Sequence, residues 1–193
     1  DKSTDSFLFL WKDLNTDPSA GYNRALQAAC RCNCSNLVKD LLKDGRVDPS
    51  AGYNEAIWIA STNGHLIVVQ ELLKDSRVNP SANNNFAIWA ASMYGHSNVI
   101  KELLKDDRID PSVHSNIAIR RASQNGHLNA VRVLLEDPRV DSLACNDLAI
   151  RLASNNGHFN VVRELIKDRH VDPCFKAGYW IKTIGRKLKR LFM

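Results

Sequence analysis

The stretch Ala56-Ile57-Trp58-Ile59-Ala60-Ser61-Thr62-Asn63-Gly64-His65-Leu66-Ile67-Val68-Val69-Gln70-Glu71-Leu72-Leu73 holds two helical patterns separated by a glycine. In the first, Ala56, Ile57, Ala60 and Ser61 make a small-residue face that lets one helix approach its neighbours closely. Gly64 ends that helix, because glycine accepts the left-handed conformation that follows a helix C-terminus. In the second, Val68-Val69 and Leu72-Leu73 form an i, i+1, i+4, i+5 stripe, with Gln70, Glu71 and Lys74 on the other side. Val78-Asn79-Pro80-Ser81 then leaves the helix, since proline disfavours helix in the residue before it. The unit reads helix, tight turn, helix, extended turn.

The unit recurs along the chain. Asp17-Pro18, Asp48-Pro49, Asn79-Pro80, Asp110-Pro111, Asp141-Ser142 and Asp172-Pro173 return every 31 residues without an insertion. Gly64-His65, Gly95-His96, Gly126-His127 and Gly157-His158 keep the same interval, with Asn33-Cys34 in the first place. Asn23, Asn54, Asn85, Asn116 and Asp147 precede each first helix, where a side-chain oxygen is expected to cap it. Neither helix of a unit buries its apolar stripe alone, so successive units must stack. The expected architecture is an all-α repeat solenoid. It has repeats at 17–47, 48–78, 79–109, 110–140 and 141–171, between a half-repeat cap at 1–16 and another at 172–193.

With the repeat in view, Ala-Ile-x-x-Ala-Ser-x-x-Gly-His-x-x-Val-Val-x-x-Leu-Leu, from Ala56 to Leu73, resembles the ankyrin repeat, over about residues 5 to 184. Two departures stand out. The period is 31 rather than 33, and Pro-Ser-Ala-x-x-Asn replaces the hairpin tip, so shortened extended turns are expected. The Thr-Pro-Leu-His start of helix one is replaced by Glu55-Ala56-Ile57-Trp58. The resemblance implies a non-catalytic module that recognises another protein on its concave surface, without cofactors.

Composition sets outer limits. A 193-residue chain with 44% hydrophobic and 24% charged residues is ordinary for a folded protein. No apolar run approaches the roughly 20 residues a membrane-spanning helix needs. Asp1-Lys2-Ser3-Thr4-Asp5 lacks the layout of a secretory signal. A cytoplasmic or nuclear monomer is expected. The chain does not begin with Met, which keeps a second reading open: a processed effector secreted to act on a host protein. Five cysteines, three of them clustered at Cys30, Cys32 and Cys34, do not form an even disulfide framework and read as free thiols. On a helix, residues two apart point in divergent directions and cannot converge on one metal.

Histidines at one repeat position lie about 10 Å apart, too far for a shared ion, so they read as rings bonded to neighbouring backbone. The ladders Asp44, Asp75, Asp106, Asp137, Asp168 and Arg46, Arg77, Arg108, Arg139 read as caps and ion pairs. No Gly-rich phosphate loop and no nucleophile–base pair stands outside the repeat pattern.

The informative positions are those that vary between repeats. On helix one these are Gln27, Trp58, Trp89, Arg120 and Arg151, then Arg31, Thr62, Met93, Gln124 and Asn155, with Cys32, Asn63, Tyr94, Asn125 and Asn156 beside them. Stacking sets them in a ribbon whose centre is Trp58, Trp89, Met93 and Tyr94 and whose later part is Arg120, Arg121 and Arg151. Trp, Tyr, Met and Arg are enriched in interface cores. The competing interpretation is that Trp58 and Arg120 pack at the seam between repeats. Tyr22, Tyr53 and Phe86, near the extended turns, are weaker candidates.

Charge picks out a second surface. Lys176, Lys182, Arg186, Lys187, Lys189 and Arg190 follow the last acidic residue, and without them 20 basic residues face 21 acidic ones. Residues 179–185 read as a capping helix. Beyond Gly185, the segment Arg186, Lys187, Lys189, Arg190, Leu191 and Met193 is basic enough for a membrane surface, nucleic acid or an import receptor. It also resembles the basic-plus-hydrophobic docking motif read by mitogen-activated protein kinases.

Overall fold

The structure is a computed structural model that describes residues 19–168, and among these every regular element is helical. The order is α1 (Ala20–Arg31), α2 (Ser35–Lys43), α3 (Ala51–Thr62), α4 (Leu66–Leu73), α5 (Ala82–Met93), α6 (Ser97–Leu103), α7 (Val113–Gln124), α8 (Leu128–Glu136), α9 (Ala144–Asn155) and α10 (Phe159–Ile166). The odd-numbered helices stack on one another as one layer and the even-numbered as a second. Each pair is therefore one unit of a solenoid. The half-repeat caps expected at 1–16 and 172–193 lie outside the described residues.

The small-residue face brings the odd helices together. Ala60, Ser61, Ala91, Ser92, Ala122 and Ser123 are all fully buried, as are Ile57, Ile88, Ile119 and Ile150. The even helices bury Val68, Val69 and Leu72 and their equivalents. Each fully buried Val, Leu or Ile contributes roughly 1.5–3 kcal/mol, so most of the stability sits in these two stripes.

Between the helices of a pair, Gly64, Gly95, Gly126 and Gly157 hold φ between +73° and +79°. The next N–H closes the turn on the helix: His65 donates to the Ala60 carbonyl at 3.0 Å and His96 to Ala91 at 2.9 Å. Asn33, at φ 58°, does the same work in the first unit, consistent with its tolerance of the left-handed region.

The extended turn is where the structure departs from expectation. Asn54, Asn85 and Asn116 do not cap their helices; they are left-handed residues whose Oδ1 accepts a backbone N–H from the following unit. The donors are Asn79 at 2.6 Å, Asp110 at 3.0 Å and Asp141 at 2.9 Å. Asn23 makes both bonds with Asp48, accepting its N–H at 3.2 Å and donating to its carbonyl at 2.8 Å. In units two to four the two residues before this asparagine are left-handed as well: Gly52-Tyr53, Asn83-Asn84 and His114-Ser115. Successive left-handed residues are costly for anything but glycine, and the inter-repeat bond holds them there. Asp48 sets up the turn by accepting both the N–H and the hydroxyl of Ser50, at 2.9 and 2.6 Å. The hairpin finger is thus replaced by a tight left-handed turn.

Candidate functional site

Much of the repeated polar chemistry is structural. His65, His96 and His127 each place Nε2 against a carbonyl of the preceding unit, those of Arg31, Thr62 and Met93, at 3.0, 2.9 and 3.0 Å. The Asp–Arg ladder behaves in the same way. Arg77 grips the Asp75 carboxylate and extends Nη1 and Nη2 to the Val47 and Leu42 carbonyls of the unit before, both at 2.8 Å. Arg108 and Arg139 reach back to Val78 and Ile109. Hydrogen bonds from Arg46 hold the Asp44 carboxyl down at about 2, and Arg77 and Arg108 lower Asp75 and Asp106. These are fixed ion pairs, not an acid–base couple.

Burial pushes the Cys30 thiol up to about 12, Cys34 is half-buried, and Cys32 is exposed. Among the described residues no group of three or more His, Cys, Asp or Glu side chains is placed to hold a metal ion, and no helix is long and apolar enough to cross a membrane.

What varies lies along the odd helices. Trp58, Trp89, Met93, Arg120 and Arg121 are half-buried, whereas Tyr94 and Arg151 are exposed. Phe86 joins the two tryptophans, edge-on to Trp58 at 5.4 Å and tilted on Trp89 at 4.5 Å. Tyr94 stands apart from that cluster and stacks on His96. Arg120 turns one N–H onto the His114 carbonyl at 2.6 Å, and Arg121 donates to Gln124 at 2.8 Å. Arg151 lies 3.5 Å from Asp147, whose carboxyl burial raises above its usual range. The tail residues Arg186, Lys187, Lys189, Arg190, Leu191 and Met193, and Tyr22 among the weaker candidates, fall outside what the structure describes at the side-chain level.

A second column of odd-helix positions, Arg24, Glu55, Phe86, Ile117 and Leu148, completes the surface. From Glu55 onward, each faces the residue 28 positions earlier, across one seam. Gln27 donates to Glu55 at 2.8 Å and Trp58 packs on Phe86, so side chains meet across these two seams. The next two hold hollows. A hollow of about 220 Å³ lies between α5 and α7, lined by Asn83, Asn84, Phe86, Trp89, His114 and Ile117. Another of about 260 Å³ lies between α7 and α9, lined by Ile117, Arg120, Arg121, Gln124, Leu148 and Leu152. The sequence reading followed the column of Trp58 and missed its partner column, although Arg, Glu, Phe, Ile and Leu at one repeat position vary just as strongly. Trp58 does pack at a seam, as the competing interpretation held.

Comparison with known proteins bears on the fold. A family model described as ankyrin repeats, in three copies, matches residues 25–115 and 57–146, which together span more than half of the chain. None of the curated proteins compared with the chain matches it. With its stacked helix pairs, its Gly-His turns and this match, the chain belongs to the ankyrin-repeat family.

Proposed function

We propose that this protein is a non-catalytic binding module that holds a partner protein on the odd-helix face of units two to five, through Trp58, Trp89, Met93, Tyr94, Arg120, Arg121 and Arg151. Ankyrin repeats are in general protein–protein interaction modules and are typically non-catalytic. The observation that carries the finer reading is the change in seam filling. Side chains meet across the first two seams, whereas the two later ones hold adjoining hollows that share Ile117. Partly buried Trp and Arg around open pockets are the arrangement that gives hot spots.

The test replaces Tyr94, on the odd-helix face, or Glu136, at the end of α8, with a photo-crosslinking residue. Covalent capture of partner from position 94 and not from 136 is expected. The reverse pattern would sink the assignment.

A second reading places docking, including docking to a mitogen-activated protein kinase, in residues 186–193, and rests on their charge density. Deleting residues 186–193 discriminates: capture persists under the first reading and vanishes under the second.

A further inference from the structure

Arg120 and Arg121 differ from the other arginines of the described residues. Arg46, Arg77, Arg108 and Arg139 each grip an aspartate, Arg132 lies 3.3 Å from Glu164, and Arg151 faces Asp147. Arg24, Arg31 and Arg163 are exposed and need no partner. Arg120 and Arg121 are half-buried, with no carboxylate within ion-pair distance among the described residues. Arg120 Nε is fully buried without a hydrogen-bond partner. Charge removed from water without a countercharge is costly, and a ligand carboxylate is the group that offsets that cost. The guanidinium fork matches it, and the bonds just described leave several of each arginine's five N–H donors free.

The hollows also set the shape of such a ligand. Each is smaller than the roughly 300–1,000 Å³ typical of small-molecule sites and suits one side chain. The first has Phe86, Trp89 and Ile117 in its wall and takes an apolar residue. The second sets Arg120 and Arg121 among Ile117, Leu148 and Leu152 and takes a carboxylate with an aliphatic stem. Seams one repeat apart are separated by about 10 Å. An extended chain advances about 3.3–3.6 Å per residue, so the two anchors fall about three residues apart.

Resting on the odd-helix reading above, we infer that the partner presents an extended acidic segment: an apolar side chain seated against Trp89 and, about three residues away, a Glu or Asp seated between Arg120 and Arg121. A nucleic-acid strand fits less well. Its regularly spaced phosphates call for a continuous basic track, and the equivalent positions in earlier units are Gln27, Trp58 and Trp89.

The test pans a random-peptide library on the full chain and follows selected peptides with a fluorescent label. The expected result is enrichment of Leu or Phe about three residues from Glu or Asp. Changing that Glu to Gln should weaken binding by roughly tenfold or more, the effect of losing a charged hydrogen bond. The paired change Arg120→Gln with Arg121→Gln should cost as much on the acidic peptide and nothing further on the Gln peptide. Arg120→Lys with Arg121→Lys should restore part of the loss, and circular dichroism confirms that each variant is folded. Several outcomes would overturn the inference: peptides selected without an acid, no selection at all, or displacement of the peptide by a single-stranded oligonucleotide at lower concentration. Peptides that ignore the arginine changes but lose affinity in Trp89→Ala would also overturn it, while leaving the odd-helix reading intact. Indifference to all of these variants would count against both.

Discussion

The two sides of an odd helix repeat themselves to very different degrees. At the ends of the helix, units two to four make the same contacts. In each, an asparagine accepts the N–H of the next extended turn, an arginine reaches a carbonyl of the preceding unit, and a histidine ring bonds another carbonyl of that unit. Along its open side, the seam pairs run from polar (Gln27–Glu55) to aromatic (Trp58–Phe86) to two unfilled hollows. Uniform contacts of nearest neighbours are what a one-dimensional stack needs to stay together. The variable side is therefore free to differ, and difference there costs the fold little.

The sharpest way to break this comparison is at the glycine turns. A Cβ at Gly95 would lie 2.6 Å from the His127 ring, whereas one at Gly157 meets nothing within 4 Å among the described residues. Both residues hold a left-handed φ. Gly95→Ala should lose ~2–5 kcal/mol, combining backbone strain with overpacking against the next unit. Gly157→Ala should lose only the backbone part, ~1–2 kcal/mol. Urea unfolding measures both, and equal losses would show that the histidine contact carries no weight.

The inter-repeat bond of the extended turn comes next. Asn54→Ala removes the acceptor for Asn79 N–H and places a Cβ residue without a helpful side chain at φ 63°. A loss of ~1.5–3 kcal/mol is expected. Asn54→Gly removes the bond but tolerates the conformation, so its loss should be smaller by ~1 kcal/mol. If the glycine variant fell as far as the alanine one, the bond and not the backbone would dominate.

Smallest is the effect of acid on the Asp–Arg ladder. The folded-state values of Asp44, Asp75 and Asp106 lie below the ordinary carboxylate range because arginine hydrogen bonds stabilise their charged forms. Their contribution is therefore complete above the unfolded value near 4 and is lost as pH falls toward about 2. These pairs are largely exposed, so a decline of a few degrees in the melting midpoint is expected across that window. A melting midpoint unchanged from pH 5 to pH 2 would refute the ladder's role.

Much of the fold was legible in single residues. Gly64 and its equivalents announced a left-handed helix end because almost nothing else occupies that conformation without strain. The Val-Val and Leu-Leu pairs announced a buried stripe because their i, i+1, i+4, i+5 spacing puts four apolar residues on one face of a helix. The role of Asn54 was misread. A side-chain oxygen just before a helix has a local donor available in the sequence, whereas the donor it actually uses, Asn79 N–H, lies 25 residues ahead in the next unit. The candidate site was half legible for the same reason. Trp58, Trp89 and the arginines stood out by residue type, but Phe86, Ile117 and Leu148 matter because of what faces them 28 residues earlier.

The period, the helix pairs, the stacking and the ion-pair ladders were all readable from the amino-acid order, since each follows from spacing within one unit repeated without an insertion. Where the hollows lie between the odd helices became visible only in the stacked arrangement. That outcome depends on how two side chains from successive units meet between their helices: Trp58 touches Phe86 ring to ring, whereas Arg120 and Leu148 line a hollow.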